Sequence, residues 1–250
     1  MSDTFSIAIW IGLTFLIAGF VKGVVGIGLP TVAMGALSLV MPPASAAAVL
    51  VVPSLVTNLW QLLSGPAFGV LLRRLATMML ALCVGTILGI SVLTGQSASL
   101  AGAALGAVLA VYGAIGLAAP CLMVPTNAQP WLSPVIGLVT GLVTGATGVF
   151  VIPAVPYLNS LGLSKEELIQ ALGLSFTVST LALAVALALS GHFQLAAAGK
   201  SLLAVVPALA GMFIGQRLRG KLQPEAFRRW FFIGLVALGI YMIARVLVPK

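Results

Sequence analysis

Apolar segments long enough to cross a membrane follow one another along almost the whole chain. A membrane-spanning helix needs roughly 20 apolar residues, and eight segments approach or exceed that length. They cover about Phe5–Met41, Ala44–Leu63, Leu75–Leu93, Ala98–Ala118, Trp131–Leu158, Leu168–Leu189, Ala196–Ile214 and Phe227–Val248. Only 6% of the residues are charged, against about 25% in a soluble domain. The predicted fold class is therefore an all-α polytopic membrane protein, which excludes a soluble enzyme and a disulfide-stapled secreted domain.

Glycine and proline interrupt two of these segments. The first segment contains Gly23-Val-Val-Gly26-Ile-Gly28-Leu-Pro30, and the fifth contains Gly145-Ala-Thr-Gly148 followed by Pro153. Glycine weakens a helix interior and proline removes a helical hydrogen bond, so each segment should break at this point. Two interrupted segments at corresponding positions of two halves indicate a transporter binding site.

The two halves of the chain resemble each other around these breaks. The run Gly19-Phe-Val-Lys-Gly23-Val-Val-Gly26 aligns with Gly141-Leu-Val-Thr-Gly145-Ala-Thr-Gly148, and further along Ser54 and Thr57 match Thr177 and Thr180. We therefore predict a first transmembrane repeat over residues 1–119, a linker over residues 120–130 and a second transmembrane repeat over residues 131–250.

The basic residues predict how the two repeats are oriented. Arg73 and Arg74 lie between the second and third segments, and a second cluster lies between the seventh and eighth: Arg217, Arg219, Lys221, Arg228 and Arg229. If every segment crossed once, the clusters would face opposite sides, against the positive-inside rule. If each broken segment enters and returns, as a re-entrant hairpin or as two short crossings, each half makes an odd number of crossings. We therefore predict inverted repeats, with these clusters and Lys165 in the cytoplasm and both termini outside.

Lys22 is the cation that lies well inside an apolar segment, next to the first glycine break. A charge at mid-bilayer costs at least about 2.5 kcal/mol, and none of the four acidic residues is placed in a span where it could pair with Lys22. An anionic ligand would neutralise it. The alternative is a lysine whose ammonium reaches the membrane surface along its flexible stem.

The breaks themselves suit an anion. A broken helix leaves backbone N–H groups without partners, and helix N-termini attract negative charge. Thr31, Thr144 and Thr147 add hydroxyl groups beside the breaks, although close packing between helices would also explain the glycines. The stripe of Ser54, Thr57, Asn58 and Gln61 recurs at helical spacing, and it could line a substrate path or bond neighbouring helices. The candidate substrate-binding residues are Lys22, Gly23, Gly26, Gly28, Thr31, Ser54, Thr57, Asn58, Thr144, Gly145, Thr147, Gly148, Thr177 and Thr180.

Other reactive residues are few. His192 follows a segment end and is interpreted as an interfacial residue, and Ser164 with Glu167 has the spacing of a helix capping box. Cys83 and Cys121 offer one pair and no ligand cluster, so we expect no metal and no cofactor. An intramembrane hydrolase would need a nucleophile with a base, or metal ligands, and a metal permease is disfavoured by the scarcity of acids.

With its paired glycine–proline motifs, the chain resembles the TauE/SafE family of sulfite and organosulfonate exporters over nearly its whole length. The resemblance implies a multi-pass permease of the bacterial inner membrane for sulfite, sulfoacetate or related sulfonates. We expect a non-enzymatic exporter that works by rocking the two halves around a midplane site, with a passive anion channel or a permease for another small organic anion as alternatives. Its partners would be a small anion and the lipid bilayer, without nucleic acid, and its Gly/Ala-rich surface could also pack against a second copy in a homo-oligomer.

Overall fold

Helices account for most of residues 2–95, 98–118, 123–192, 195–221 and 223–247, which the computed structural model describes. They are α1 (Ser2–Val25), α2 (Leu29–Leu37), α3 (Pro43–Leu63), α4 (Phe68–Thr94), α5 (Ala98–Ala118), α6 (Gln129–Thr147), α7 (Ala154–Asn159), α8 (Lys165–Leu189), α9 (Leu195–Leu218) and α10 (Pro224–Leu247). Eight of them are long and apolar enough to cross a membrane, which confirms the all-α polytopic class. Residues 120–122 of the predicted linker, including Cys121, lie outside the described residues.

Each interrupted segment consists of one long and one short helix. The long helix α1 ends where Gly26 and Gly28 adopt positive φ angles of 85° and 112°, and α2 follows with a proline in its first turn. The second half repeats this design, since Gly148 ends α6 at φ 72° and α7 follows Pro153. At about 1.5 Å per residue, the nine residues of α2 reach about half of a 30 Å hydrocarbon core. Each interrupted segment therefore joins one helix of full spanning length to a helix that is much shorter than a full crossing.

Both short helices fold back along the long helix that precedes them. The indole Nε1 of Trp10 in α1 donates to the carbonyl oxygen of Ala36, near the end of α2, at 3.1 Å. In the second half, the hydroxyl groups of Ser133 near the start of α6 and Tyr157 in α7 lie 2.5 Å apart. Each pair forms a hairpin that returns the chain towards the side on which it began.

Several helices extend beyond their apolar sequence. The third segment was predicted to begin at Leu75, but α4 begins at Phe68 and contains Arg73 and Arg74, which are both exposed. Arg228 and Arg229, at the start of the predicted eighth segment, also lie inside a helix, since α10 begins at Pro224. The predicted boundaries were wrong because they followed apolarity, whereas a helix also continues through charged residues whose long side chains can reach water.

Two pairs of parallel helices pack through glycines that bring their backbones into contact. In the first pair, Gly19 of α1 lies against Ala208 of α9, where an added Cβ would be 2.1 Å from the carbonyl oxygen. In the second pair, Gly141 of α6 lies equally close to Leu82 of α4. Residues further along also meet, such as Gly145 and Gly89, so the helices of each pair run in the same direction. Each pair joins the first long helix of one half to the fourth element of the other half.

Two further pairs are antiparallel, and each joins corresponding helices of the two halves. Asn58 of α3 contacts Thr180 of α8, whereas Leu62 lies beside Gln170, ten residues earlier in α8. In the second pair, Gly106 of α5 meets Met242 of α10 and Gly113 meets Phe232. In both pairs the residue number rises along one helix as it falls along the other.

Most of the described cations lie at one end of the helix bundle. Arg219, after α9, bonds to Val24 at the end of α1, and Arg74 bonds to Gln129 and to Leu161. Together with the bonds from Gln61 to Gly26 and from Ala67 N to Gln170, these contacts bring together the end of α1, the α3–α4 turn, the start of α6 and the start of α8. We call this region the basic end, and its cations are Arg73, Arg74, Lys165, Arg217, Arg219, Lys221, Arg228 and Arg229.

Candidate anion site

Lys22 lies in the last turn of α1 and is buried, with 4% of its surface exposed. Its ammonium group donates to Thr57 Oγ1 at 3.1 Å and to Asn58 Oδ1. Both acceptors are neutral side chains of α3, so these hydrogen bonds leave the positive charge without a counter-ion. The ammonium is directed to buried side chains instead of to the membrane surface.

The Lys22 contacts continue across the boundary between the two halves. The Asn58 amide Nδ2 donates to Thr180 Oγ1 of α8 at 3.2 Å, and the Thr180 hydroxyl donates to the carbonyl oxygen of Phe176 at 2.7 Å. This amide orientation is assigned from the hydrogen-bond network, because only the oxygen of Asn58 can accept from an ammonium group. We call Lys22, Thr57, Asn58 and Thr180 the Lys22 cluster.

Two polar atoms on the same face of α3 have no hydrogen-bond partner in the described part of the chain. One is the fully buried Ser54 hydroxyl, and the other is the Oε1 oxygen of Gln61. The Nε2 group of Gln61 donates to the carbonyl oxygen of Gly26 at 3.2 Å, so α3 also contacts the first glycine break. Buried polar groups without partners are rare in native proteins, and a ligand or water at this face would satisfy them.

The candidate glycines divide into two groups. Gly23 and Gly145 pack against neighbouring helices, since an added Cβ on either would lie 2.3 Å from a backbone oxygen of α9 or α4. The glycines of the breaks have positive φ angles, and their nearest neighbours are side chains: Arg219 beside Gly26, Val21 and Phe231 beside Gly28, and Met34 beside Gly148. Side chains can move aside more readily than a packed backbone can, so the contacts of the second group are the more adjustable ones, and its role in binding an anion stays a prediction.

The threonines near the breaks bond to their own helices. Thr31 donates to Gly28 O at 2.8 Å, Thr144 to Thr140 O at 2.7 Å and Thr147 to Val143 O at 2.7 Å. Thr177 similarly donates to Gly173 O. The described hydrogen bonds connect Thr180 to Lys22 but do not connect these four threonines to it. Their role as substrate ligands stays a prediction.

The Lys22 cluster is closed to solvent in this structure, since Thr57 and Asn58 are also buried. Two open grooves lie elsewhere, at the basic end. One of about 950 Å³ is lined by residues of the α9–α10 turn and α10, including Arg229, and one of about 650 Å³ is lined by the α3–α4 turn and α4, including Arg73. A ligand could reach the cluster only after neighbouring side chains move.

Some buried contacts were not predicted. Pro53 removes a backbone donor from α3, and Ser201 of α9 compensates by donating to the Val49 carbonyl oxygen at 2.7 Å and accepting from Val52 N at 3.2 Å. The proline was a visible signal, but the position of its partner 149 residues away from Val52 was not. The predicted capping box at Ser164 and Glu167 is confirmed, and His192 is exposed at the end of α8.

These features define a class of protein: a polytopic membrane protein whose buried cation lies beside a broken helix at the contact between two similar halves. Residues 11–242 match the family model described as sulfite exporter TauE/SafE. Because the match covers nearly the full chain, the protein belongs to this family of membrane transporters. The comparison with curated proteins and the comparison with solved structures each gave no match.

Proposed function

We propose that this transporter exports small sulfur-containing anions, such as sulfite, sulfoacetate or other sulfonates, across the bacterial inner membrane. The observation that carries the proposal is the buried Lys22 ammonium, whose hydrogen-bond partners Thr57 and Asn58 are both neutral. A cation kept in an apolar helix bundle without a counter-ion is costly, and a mobile anion would offset that cost. The direction of transport and the class of anion follow from the family.

The run directions of the helices support an inverted repeat. In the first half α1 and α3 run towards the basic end, because Lys22 contacts Asn58 and Gly26 contacts Gln61. In the second half, the corresponding α6 and α8 run away from it, since α6 is parallel to α4 and α8 is antiparallel to α3. Counting each short helix as a return, each half makes five passes. Together with the positive-inside rule, this arrangement supports the proposal that the basic end is cytoplasmic and that both termini lie outside.

Alternating access around the Lys22 cluster requires bodies that move relative to each other. The halves themselves interlock, because α1 packs on α9 and α6 packs on α4 through backbone contacts at glycines. If one half rocked against the other, the packed α1–α9 and α4–α6 interfaces would both have to separate. We therefore propose that the moving bodies are the α1–α9 pair and the α4–α6 pair, each with one helix from each half, and that α3 and α8 meet between them.

Flux measurements on the purified, reconstituted protein test the proposal. We expect saturable sulfite or sulfonate flux that is accelerated by the same anion on the opposite side, which an open channel would not show. Lys22→Ala should abolish this flux. Lys165→Ala is the matched control, because it removes one charge from an exposed position at the basic end, and it should transport like the wild type.

Binding provides a second readout of the same site. A ligand that binds the folded state alone raises apparent thermal stability by mass action. Sulfite, sulfoacetate, taurine, sulfate, phosphate, acetate and chloride should therefore be compared on the wild type and both variants. Stabilisation by no sulfur anion, or equal stabilisation of Lys22→Ala and the wild type, would contradict the proposed site.

A further inference from the structure

Arg219 lies beside the first glycine break, at Gly26. It follows the last residue of α9, and its Nε group donates to the Val24 carbonyl oxygen of α1 at 2.7 Å. Its Nη2 atom lies 3.5 Å from the position that a Cβ on Gly26 would occupy. The guanidinium therefore covers the break at the point where α1 ends.

A short series of contacts connects Arg219 with the Lys22 cluster. The backbone N–H of Gly26 donates to the Lys22 carbonyl oxygen at 2.8 Å, so one helical turn separates the two positions. Gln61 lies at the same level, since it donates to the Gly26 carbonyl oxygen at 3.2 Å. On α3, Gln61 is one turn beyond Thr57 and Asn58. From the basic end inwards, the order is therefore Arg219, then Gln61 with Gly26, then the Lys22 cluster.

The chemistry of this order favours an anion path. The hydrogen bonds found for Arg219 and Lys22 all go to neutral oxygen atoms, so two cations lie on either side of Gln61 without carboxylates among these partners. An anion that moved between them would have a positive group at both ends of the path, Arg219 at one and Lys22 at the other. The planar guanidinium group can also bind two oxygen atoms of a sulfite, sulfonate or carboxylate at once, which an ammonium group cannot do in the same geometry.

We propose that Arg219 is a substrate-binding residue, which receives an oxyanion at the basic end before the anion reaches Lys22. This inference rests on the proposed function and adds to it a second cationic position and a selectivity for oxyanions over monatomic anions. Gln61 is the side chain that must move to open the path between the two positions. The competing role of Arg219 is structural, because a cation at a helix C-terminus stabilises the unpaired carbonyl groups there.

The test compares Arg219→Gln with Arg217→Gln. Arg217 lies two residues earlier and its guanidinium stacks on the Phe213 ring at 4.3 Å, so the control removes the same charge from the same end of α9. Initial rates of sulfite and chloride transport are measured in inside-out and right-side-out vesicles. For Arg219→Gln we expect the sulfite KM at the basic end to rise roughly tenfold or more, the loss expected for a charge-assisted hydrogen bond. At the opposite side KM should stay within about twofold of the wild type, and Arg217→Gln should do so on both sides.

A structural role predicts a different result. Loss of a helix cap would lower the melting temperature and Vmax without a KM change confined to one side, and that outcome would overturn the proposal. If Arg219→Gln does not fold, Arg219→Lys keeps the charge but loses the planar pair of donors. It should then raise KM for sulfite more than KM for chloride, and equal changes would overturn the proposal.

The same experiment, with sulfoacetate flux also measured on the wild type, separates the two proposals. If the wild type shows no saturable flux of sulfite or sulfoacetate, the proposed function fails and the role of Arg219 fails with it. If the wild type transports these anions and Arg219→Gln keeps its KM at the basic end, only the role of Arg219 is refuted.

Discussion

Replacing Asn58 by leucine should destabilise the protein, and removing Lys22 as well should restore most of the loss. Leucine is the natural choice because Leu181 occupies the position that corresponds to Asn58 in the second half, given the match of Thr57 with Thr180. The side chains of Lys22 and Asn58 are both buried and bond directly to each other. Their energetic coupling therefore measures how much the buried charge depends on its partner.

The expected magnitudes follow from the hydrogen bonds. Asn58→Leu removes the acceptor of a charged donor, about 1.5 to 3 kcal/mol, and the neutral bond to Thr180, about 0.5 to 1.5 kcal/mol. We expect a total loss of about 2 to 4.5 kcal/mol. Lys22→Met leaves the Asn58 oxygen unpaired, which costs about 1 to 3 kcal/mol, but it also removes a buried charge. In the double variant both partners are apolar, so its stability should lie within about 1 kcal/mol of the wild type.

Equilibrium unfolding of the wild type, both single variants and the double variant in mixed micelles measures these four stabilities. The coupling energy is the double-variant change minus the sum of the single changes, and its size should be at least about 2 kcal/mol. Additive losses would refute the reasoning, since they would show that Lys22 and Asn58 do not depend on each other. Transport is a separate readout, and it should be lost in both variants that lack Lys22, including the stable double variant.

Three further predictions concern the helix contacts and the orientation of the chain. Gly141→Ala should lower the free energy of unfolding by about 1 to 3 kcal/mol because of overpacking, since its Cβ would lie 2.1 Å from the Leu82 oxygen. Gly234→Ala is the control, because no atom lies within 4 Å of its Cβ, and it should be neutral or stabilising in the same unfolding assay. Ser201→Ala should lower the free energy of unfolding by about 1 to 3 kcal/mol, because it leaves the buried Val49 carbonyl oxygen without a donor. Adding Pro53→Ala should recover part of this loss, because it returns a backbone N–H to α3. No recovery would contradict the role assigned to Ser201. A cysteine in the α3–α4 turn and one in the α9–α10 turn should both react with an impermeant thiol reagent only from the cytoplasm, whereas labelling of the two from opposite sides would disprove an odd number of passes in each half.

The long helices were predictable because the signals that form them are local. A run of apolar residues has to pair its backbone groups internally within a membrane, and glycine with proline ends such a run wherever it occurs. The positions of the breaks near Gly26 and Gly148 could therefore be predicted from the residues alone. The start of α4 could not, because Arg73 and Arg74 are compatible with either a loop or the exposed first turns of a helix.

The candidate site was predictable in part. Lys22 and the polar stripe on α3 were visible as polar residues in apolar surroundings, and the structure places Lys22 against Thr57 and Asn58. Gly23 and Gly26 look equivalent in the sequence, but one packs on a helix backbone and the other lies beside the Arg219 side chain. A glycine signals close approach without identifying what approaches, so its role depends on neighbours distant in the chain.

By itself, the sequence determined that this chain is a helical membrane protein with two broken segments and a cation in an apolar span. Those properties depend on hydrophobic length, backbone conformation and charge, which act over a few residues. The tertiary structure alone decided that α1 pairs with α9 and α6 with α4, that Thr180 completes the Lys22 cluster, and that Arg219 covers the first break. These contacts join residues more than 50 positions apart, and such pairings depend on how whole helix surfaces fit together.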